Sequence, residues 1–119
     1  MSVLVATNGS PEGRAAMQAG LHEALLRGTD VLYLNLADTP LELSADVPVQ
    51  VTELPRDPDA HPADALLDAA VFNEVSLIVV GTRRRSAVGK LILGSTVQQI
   101  LLEASVPVLS VKADYVAPR

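Results

Sequence analysis

Cysteine is absent from all 119 residues, so neither a disulfide framework nor a thiolate metal site can form. Aromatic residues are scarce at 3%, with no tryptophan. Hydrophobic residues nevertheless make up 49% of the chain, so the core must be aliphatic, built from Val, Leu, Ile and Ala. Such a core suits a parallel sheet buried on both faces by helices. No run approaches the roughly 18 apolar residues of a membrane span. The chain enters a strand pattern at once, without the basic and apolar regions of a leader. These absences point to a cytoplasmic protein with no membrane partner. The net charge of −5 argues against nucleic acid as a partner, because such binding needs a basic face. His22 and His61 have no ligand-like spacing with each other or with carboxylates, so no metal site is expected. Asp57, Asp59 and Asp64 around His61 read as a solvated loop and a helix start, where Asp64 suits the helix dipole. Ser10 has no base placed near it in sequence, so no catalytic nucleophile is expected.

What the chain does have is a concentrated basic patch. Four of its nine Lys and Arg residues, Arg83, Arg84, Arg85 and Lys90, fall within eight positions. An acidic chain with one basic patch is either a small-anion binder or carries a solvated basic loop. The patch lies inside Ser76 to Thr96, SLIVVGTRRRSAVGKLILGST. Leu77 to Val80 reads as a buried strand, Gly81 as a turn, Thr82 to Ser86 as a polar loop, and Gly94-Ser95-Thr96 as a helix start. Backbone N–H groups at a helix start are unpaired and partly positive, and phosphate is the anion they most often hold. Gly89-Lys90 does not complete a P-loop, because position 84 is Arg and position 91 is Leu.

The elements follow in order. Val3 to Ala6 is a first strand, ended by the turn signal Thr7-Asn8-Gly9-Ser10-Pro11. Ser10 caps a helix whose first position is Pro11 and whose end is Arg27-Gly28. Its apolar face is Ala15, Ala16, Ala19, Leu21, Ala24, Leu25 and Leu26. Val31 to Leu36 is a second strand. Residues 37–48 hold two prolines and at most one helical turn at Leu41 and Leu43. Val49 to Leu54 alternates like an exposed edge strand. Pro55 to Pro62 is loop, and Ala63 to Asn73 is a helix with Ala65, Leu66, Ala69, Ala70 and Phe72 apolar. After the strand Ser76 to Val80 and the basic loop comes a helix from Ser95 to Ser105. A last strand covers Val106 to Val111, with Pro107 at its start or on an edge. The tail from Asp114 is expected to fray. Strands alternating with helices in one chain of this length imply an α/β domain, 1–119, with a parallel sheet and right-handed crossovers. In such sheets ligands bind beyond the carboxyl ends of strands where the strand order reverses.

At three places the chain resembles the universal stress protein family. Gly81, two residues, Arg84, nine residues, Gly94-Ser95 has the spacing of the family's nucleotide motif, with Arg84 where the middle glycine stands. VLVATNGSPEGR is similar to the family's opening, with Asn8 in place of an Asp. SVPVLSVK is similar to its last strand. The resemblance implies a shortened member with a flavodoxin-like, adenine nucleotide alpha hydrolase-like fold. That fold is an open parallel five-stranded sheet in the order 3-2-1-4-5 with helices on both faces. The helix between the second and third strands is reduced or absent.

The same resemblance implies the ligand and its site. ATP or another adenine nucleotide would lie with Ala6, Thr7 and Asn8 beside adenine and ribose and Leu36 against the base. Gly81 and Arg84 would approach ribose and phosphates, and Gly94, Ser95 and Thr96 would hold phosphate. Arg83, Arg85 and Lys90 would flank it, while Thr82 has no fixed role. The loss of the Asp charge at position 8 weakens any Mg²⁺ role. The expected function is a cytoplasmic stress sensor or regulator, not a fast enzyme. The alternative is a dimeric interaction module of the same fold that binds no nucleotide. Either form would pair as a homodimer through the last strand, Pro107, Val108, Leu109, Ser110 and Val111. Slow hydrolysis or autophosphorylation at Ser86, Ser95 or Thr96 finds no general base in the sequence.

Overall fold

Short β-branched runs and helical stretches alternate along the whole chain. The elements are β1 (Val3–Thr7), α1 (Pro11–Arg27), β2 (Val31–Asn35), β3 (Val51–Glu53), α2 (Pro62–Phe72), β4 (Leu77–Arg84), β5 (Leu91–Ile92), α3 (Ser95–Glu103) and β6 (Val108–Lys112). They are taken from a computed structural model that describes residues 1–41, 43, 47–84, 91–92 and 94–116.

Hydrogen bonding joins β1 in parallel to both β2 and β4, β3 to β2, and β6 to β4. The parallel sheet therefore runs 3-2-1-4-6. This is the expected five-stranded order, with the last strand renumbered by β5. That element is a two-residue antiparallel arm, pairing Ile92 with Arg83 and Leu91 with Arg84.

Side chains alternate across a strand, so each strand feeds two cores. Val3, Val5, Val31, Tyr33, Leu77 and Val79 pack with α1 on one face. Leu4, Ala6, Leu34, Ile78 and Val80 pack with α2 and with Ile100 of α3 on the other. Each fully buried aliphatic side chain contributes about 1.5–3 kcal/mol by leaving water. Among the described residues between β2 and β3 there is no helix. Leu41 and Val49 cover the first core from that connection instead.

Several sequence expectations change. The apolar face of α1 does not include Leu25 and Leu26, which are 54% and 68% exposed. Its buried stripe is made mostly of small residues, among them Gly13, Ala16, Gly20 and Ala24, together with Met17. The cause is close approach: a Cβ on Gly20 would lie 2.3 Å from Val5 Cγ2. In α2 the buried positions are Ala63, Leu66 and Ala70. Phe72 falls two residues beyond Ala70, about 200° around the helix, and is 87% exposed.

The connection through Leu41 and Leu43 forms no helical turn among its described residues. β6 starts at Val108 because Pro107 has no N–H to give. Its carbonyl still accepts the Ile78 N–H at 3.0 Å. The tail does not fray at Asp114, since the Tyr115 N–H returns to the Lys112 carbonyl at 3.0 Å and Tyr115 packs on the first core.

The largest change is at Gly81. It is not a turn. β4 runs straight through it to Arg84, with Gly81 opposite Val111 and Thr82 opposite Lys112. Thr82 is buried in the strand, and its hydroxyl reaches the Val111 carbonyl at 3.4 Å. The polar residues after Val80 mimic a loop in sequence, but β6 pairs with Gly81 and Thr82, and β5 with Arg83 and Arg84.

Candidate functional site

The order 3-2-1-4-6 reverses direction between β1 and β4, and a crevice opens beyond the carboxyl ends of those two strands. The segment after β1 shapes one side. The Thr7 hydroxyl, buried at the strand end, donates to the Gly13 carbonyl at 2.8 Å. Asn8 Oδ1 accepts the Ser10 N–H at 3.0 Å and the Ser10 hydroxyl as well. Ser10 Oγ in turn accepts the Gly13 N–H at 3.1 Å, capping α1. This is an Asx turn feeding an N-cap. It commits the Asn8 side-chain oxygen to the loop.

Two glycines let α1 come close. A Cβ on Gly13 would lie 2.3 Å from Asn8 Oδ1, and a Cβ on Gly81 would lie 2.3 Å from the Glu12 carbonyl oxygen. Both distances are too short for any side chain to occupy without a shift of its neighbours. Gly81 thus serves close packing between β4 and the first turn of α1.

These elements enclose a cavity of about 280 Å³. Ala6, Thr7, Val80 and Gly81 come from the strand ends, Glu12 and Gly13 from α1, and Leu36 from the end of β2. The remaining wall is Pro62 of α2 with Thr96, Val97 and Ile100 of α3. It is mostly aliphatic, with Thr7, Asn8, Glu12 and Thr96 as its polar residues, as small-molecule sites generally are.

The two helix starts facing this cavity differ in charge. The start of α1 is capped by Ser10 and carries Glu12 in its first turn. The start of α3 has Gly94 as its cap, makes no side-chain cap bond and has no acidic residue in its first turn. Among the described residues nothing therefore takes up the partial positive charge of its N–H groups, which is left for an outside anion. Glu12 Oε1 accepts from Arg83 Nη2 at 3.2 Å and from Arg83 Nε at 3.3 Å. The Glu12 side chain is 16% exposed and that of Arg83 is 58%. Burial pushes the Glu12 carboxyl up. Its own backbone N–H, the Arg83 guanidinium and Ser10 outweigh that and hold it below its ordinary value.

The expected site residues divide into groups. Ala6, Thr7, Asn8, Leu36, Gly81 and Thr96 meet around the cavity. Gly94 and Ser95 stand exposed at the start of α3 and do not line it. Arg83 lies outside it, spent on Glu12. Arg84 pairs with Leu91 through its backbone, its side chain falling outside the described residues, as do Arg85, Ser86 and Lys90 entirely.

Sequence reading missed Glu12, Gly13, Val80, Pro62, Val97 and Ile100. Gly13 did carry a signal: a glycine inside a helix costs about 1 kcal/mol relative to alanine, so its presence there implies close approach. Pro62 and the aliphatic residues looked like cap and core. Glu12 carried none, because its partner Arg83 is 71 residues away. Among the described residues no three His, Cys, Asp or Glu gather as a metal site.

Comparison with known proteins matches the model described as "Universal stress protein family" to residues 58–112. A universal stress protein of Mycolicibacterium smegmatis is 34% identical over 127 residues, spanning 92% of this chain and 96% of that protein. A solved universal stress protein from Archaeoglobus fulgidus superposes with a TM-score of 0.77 at 24% identity, over 94% of this chain and 98% of the other. A universal stress protein from the same organism, solved in complex with dAMP, superposes at 0.71 with 19% identity over the same shares. These two structures share the fold of this chain.

Proposed function

The chain belongs to the universal stress protein family, and from that premise we propose that it binds an adenine nucleotide, ATP or a close relative, between β1, β4 and α3. In this reading the base lies against Leu36, Val97 and Pro62, the ribose near Ala6, Thr7, Asn8 and Gly81, and a phosphate at Gly94, Ser95 and Thr96. Residues 1–119 act as one domain, a cytoplasmic sensor or regulator of stress responses. Mg²⁺ has no assigned part.

The observation that carries the reading is the aliphatic cavity opening on the α3 start, which has neither a capping side chain nor an acidic residue. A helix start in that condition attracts phosphate. A relative of the same fold was solved with dAMP. Calorimetric titration of the purified chain with adenosine, AMP, ADP and ATP is expected to give saturable one-to-one binding of at least one of them. No heat from any of the four at millimolar ligand overturns the reading.

A second reading is an interaction module of the same fold that works as a homodimer without nucleotide. It draws on the Asn8 oxygen and the Arg83 guanidinium being spent inside the protein, and on β6 having β4 as its one strand partner among the described residues. Nucleotide carried through purification, seen as absorbance at 260 nm and by mass spectrometry, decides for the first reading.

A further inference from the structure

We propose that Asn8–Gly9 is a self-modification site, at which Asn8 loses its side-chain amide as ammonia and becomes aspartate or isoaspartate. The inference does not depend on the nucleotide reading above.

The reaction is an attack by a main-chain nitrogen on the side chain that precedes it. The Gly9 nitrogen bonds to Cγ of Asn8 and the Cγ–Nδ2 bond breaks. Nδ2 leaves as ammonia, taking the proton that the Gly9 nitrogen gives up. Water then opens the resulting five-membered imide at either carbonyl. One opening gives aspartate; the other gives isoaspartate, in which the main chain runs through the side-chain carbons. No oxidant, reductant or metal is needed.

Three features block this step: a hydrogen bond on the attacking N–H, a side chain beside it, and a hydrogen bond on the departing amide. The chain has three asparagines, and Asn8 differs from the other two in each respect. After Asn35, the Leu36 N–H is bound to the Thr7 carbonyl at 2.8 Å, and Asn35 Nδ2 donates to the Thr39 carbonyl at 2.8 Å. After Asn73, the Glu74 N–H is bound to the Val71 carbonyl at 3.2 Å, and Asn73 Nδ2 donates to the Ala69 carbonyl at 2.8 Å. Gly9 has no side chain to shield its nitrogen. Among the described residues, neither its N–H nor Asn8 Nδ2 has a partner. Gly9 is also exposed, so solvent reaches the attacking nitrogen.

The carbonyl under attack is activated as well. Asn8 Oδ1 accepts the Ser10 N–H at 3.0 Å and the Ser10 hydroxyl. Two donors on that oxygen draw electron density from Cγ and stabilise the oxyanion that forms as the nitrogen adds. Asn35 Oδ1 accepts one N–H, that of Ala37 at 2.9 Å.

The consequence falls on the crevice, because Asn8 lines the cavity. Aspartate adds a negative charge to that wall. Isoaspartate lengthens the main chain where α1 packs closest: a Cβ on Gly13 would lie 2.6 Å from the Asn8 carbonyl oxygen. The first turn of α1 must then shift.

The test incubates the folded full chain at mildly alkaline pH and follows each asparagine by peptide mapping with mass spectrometry. Asn8 is expected to convert at least about tenfold faster than Asn35 and Asn73, and no slower than in the same chain unfolded in urea. Gly9→Ala fits the fold, since nothing lies within 4 Å of the added Cβ. It places a methyl group beside the attacking nitrogen and is expected to slow conversion about tenfold, with unchanged circular dichroism. A folded chain that keeps Asn8 intact while the unfolded chain converts it overturns the proposal. So does conversion of Asn35 or Asn73 as fast as Asn8 in the folded chain, or a Gly9→Ala chain that converts as fast as wild type.

Discussion

Gly13 and Gly81 hold the first turn of α1 against the ends of β1 and β4. Alanine ordinarily improves a helix interior over glycine by about 1 kcal/mol. At position 13 that gain is outweighed, because a Cβ would lie 2.3 Å from Asn8 Oδ1, 2.6 Å from the Asn8 carbonyl oxygen and 2.7 Å from its nitrogen. Two of those atoms are backbone and cannot swing away. Gly13→Ala is therefore expected to destabilise the protein by about 1–3 kcal/mol, the usual cost of overpacking, measured by urea denaturation. Unchanged or increased stability would show that α1 is not held so closely. Part of this was legible in sequence: Ser10 as cap, Pro11 as first helical residue and Gly28 as C-cap all hold, the last in left-handed conformation at φ 66°. Local signals of that kind depend only on neighbours in the chain. The exposure of Leu25, Leu26 and Phe72 does not, because which face of a helix is covered depends on the sheet it meets.

The element that matters most for the site is the start of α3. Gly94 sits there in extended conformation, φ −67° and ψ 160°, with nothing within 4 Å of the point a Cβ would occupy. Among the described residues aspartate fits that space, and it is among the best N-cap residues, better than glycine there by about a few tenths of a kcal/mol. It would also put a carboxylate where the phosphate is proposed to bind. Gly94→Asp is thus expected to leave the melting temperature unchanged or raise it by about 1 °C while abolishing nucleotide binding in calorimetry. A stable variant that binds as wild type does would move the phosphate elsewhere. β4 shows the limit of reading elements from sequence. Gly81-Thr82-Arg83-Arg84 has the polarity of a loop, and Gly81 reads as a turn. Pairing with β6 and with β5 makes all four positions strand. That pairing is a tertiary fact which no local propensity encodes.

At the scale of the whole molecule, β6 has β4 on one side and is the natural place for a second copy to add. The proposed homodimer through this edge can be tested by a substitution that spares the fold. The Pro107 carbonyl faces β4, since it accepts the Ile78 N–H. Backbone groups alternate in direction along a strand, so the Leu109 N–H points toward β4 and the Ser110 N–H points outward. Ser110→Pro removes an outward donor and keeps the β4 ladder. It is expected to convert a dimer to monomer in analytical ultracentrifugation at micromolar concentration, with unchanged far-UV circular dichroism. A variant that remains dimeric rules out pairing through this edge.

The sequence by itself determined the alternation of strands and helices, the caps of α1, the aliphatic core and, through three spaced motifs, the strand order. These are consequences of periodicity, turn chemistry and resemblance, all of which are written along the chain. Only the tertiary structure decided that Gly81 is strand, that Leu25 and Leu26 fall off the buried face of α1, and that Glu12 meets Arg83. Each depends on two segments distant in sequence approaching within a few ångströms. The sheet's register sets that approach, and no single stretch of residues contains it.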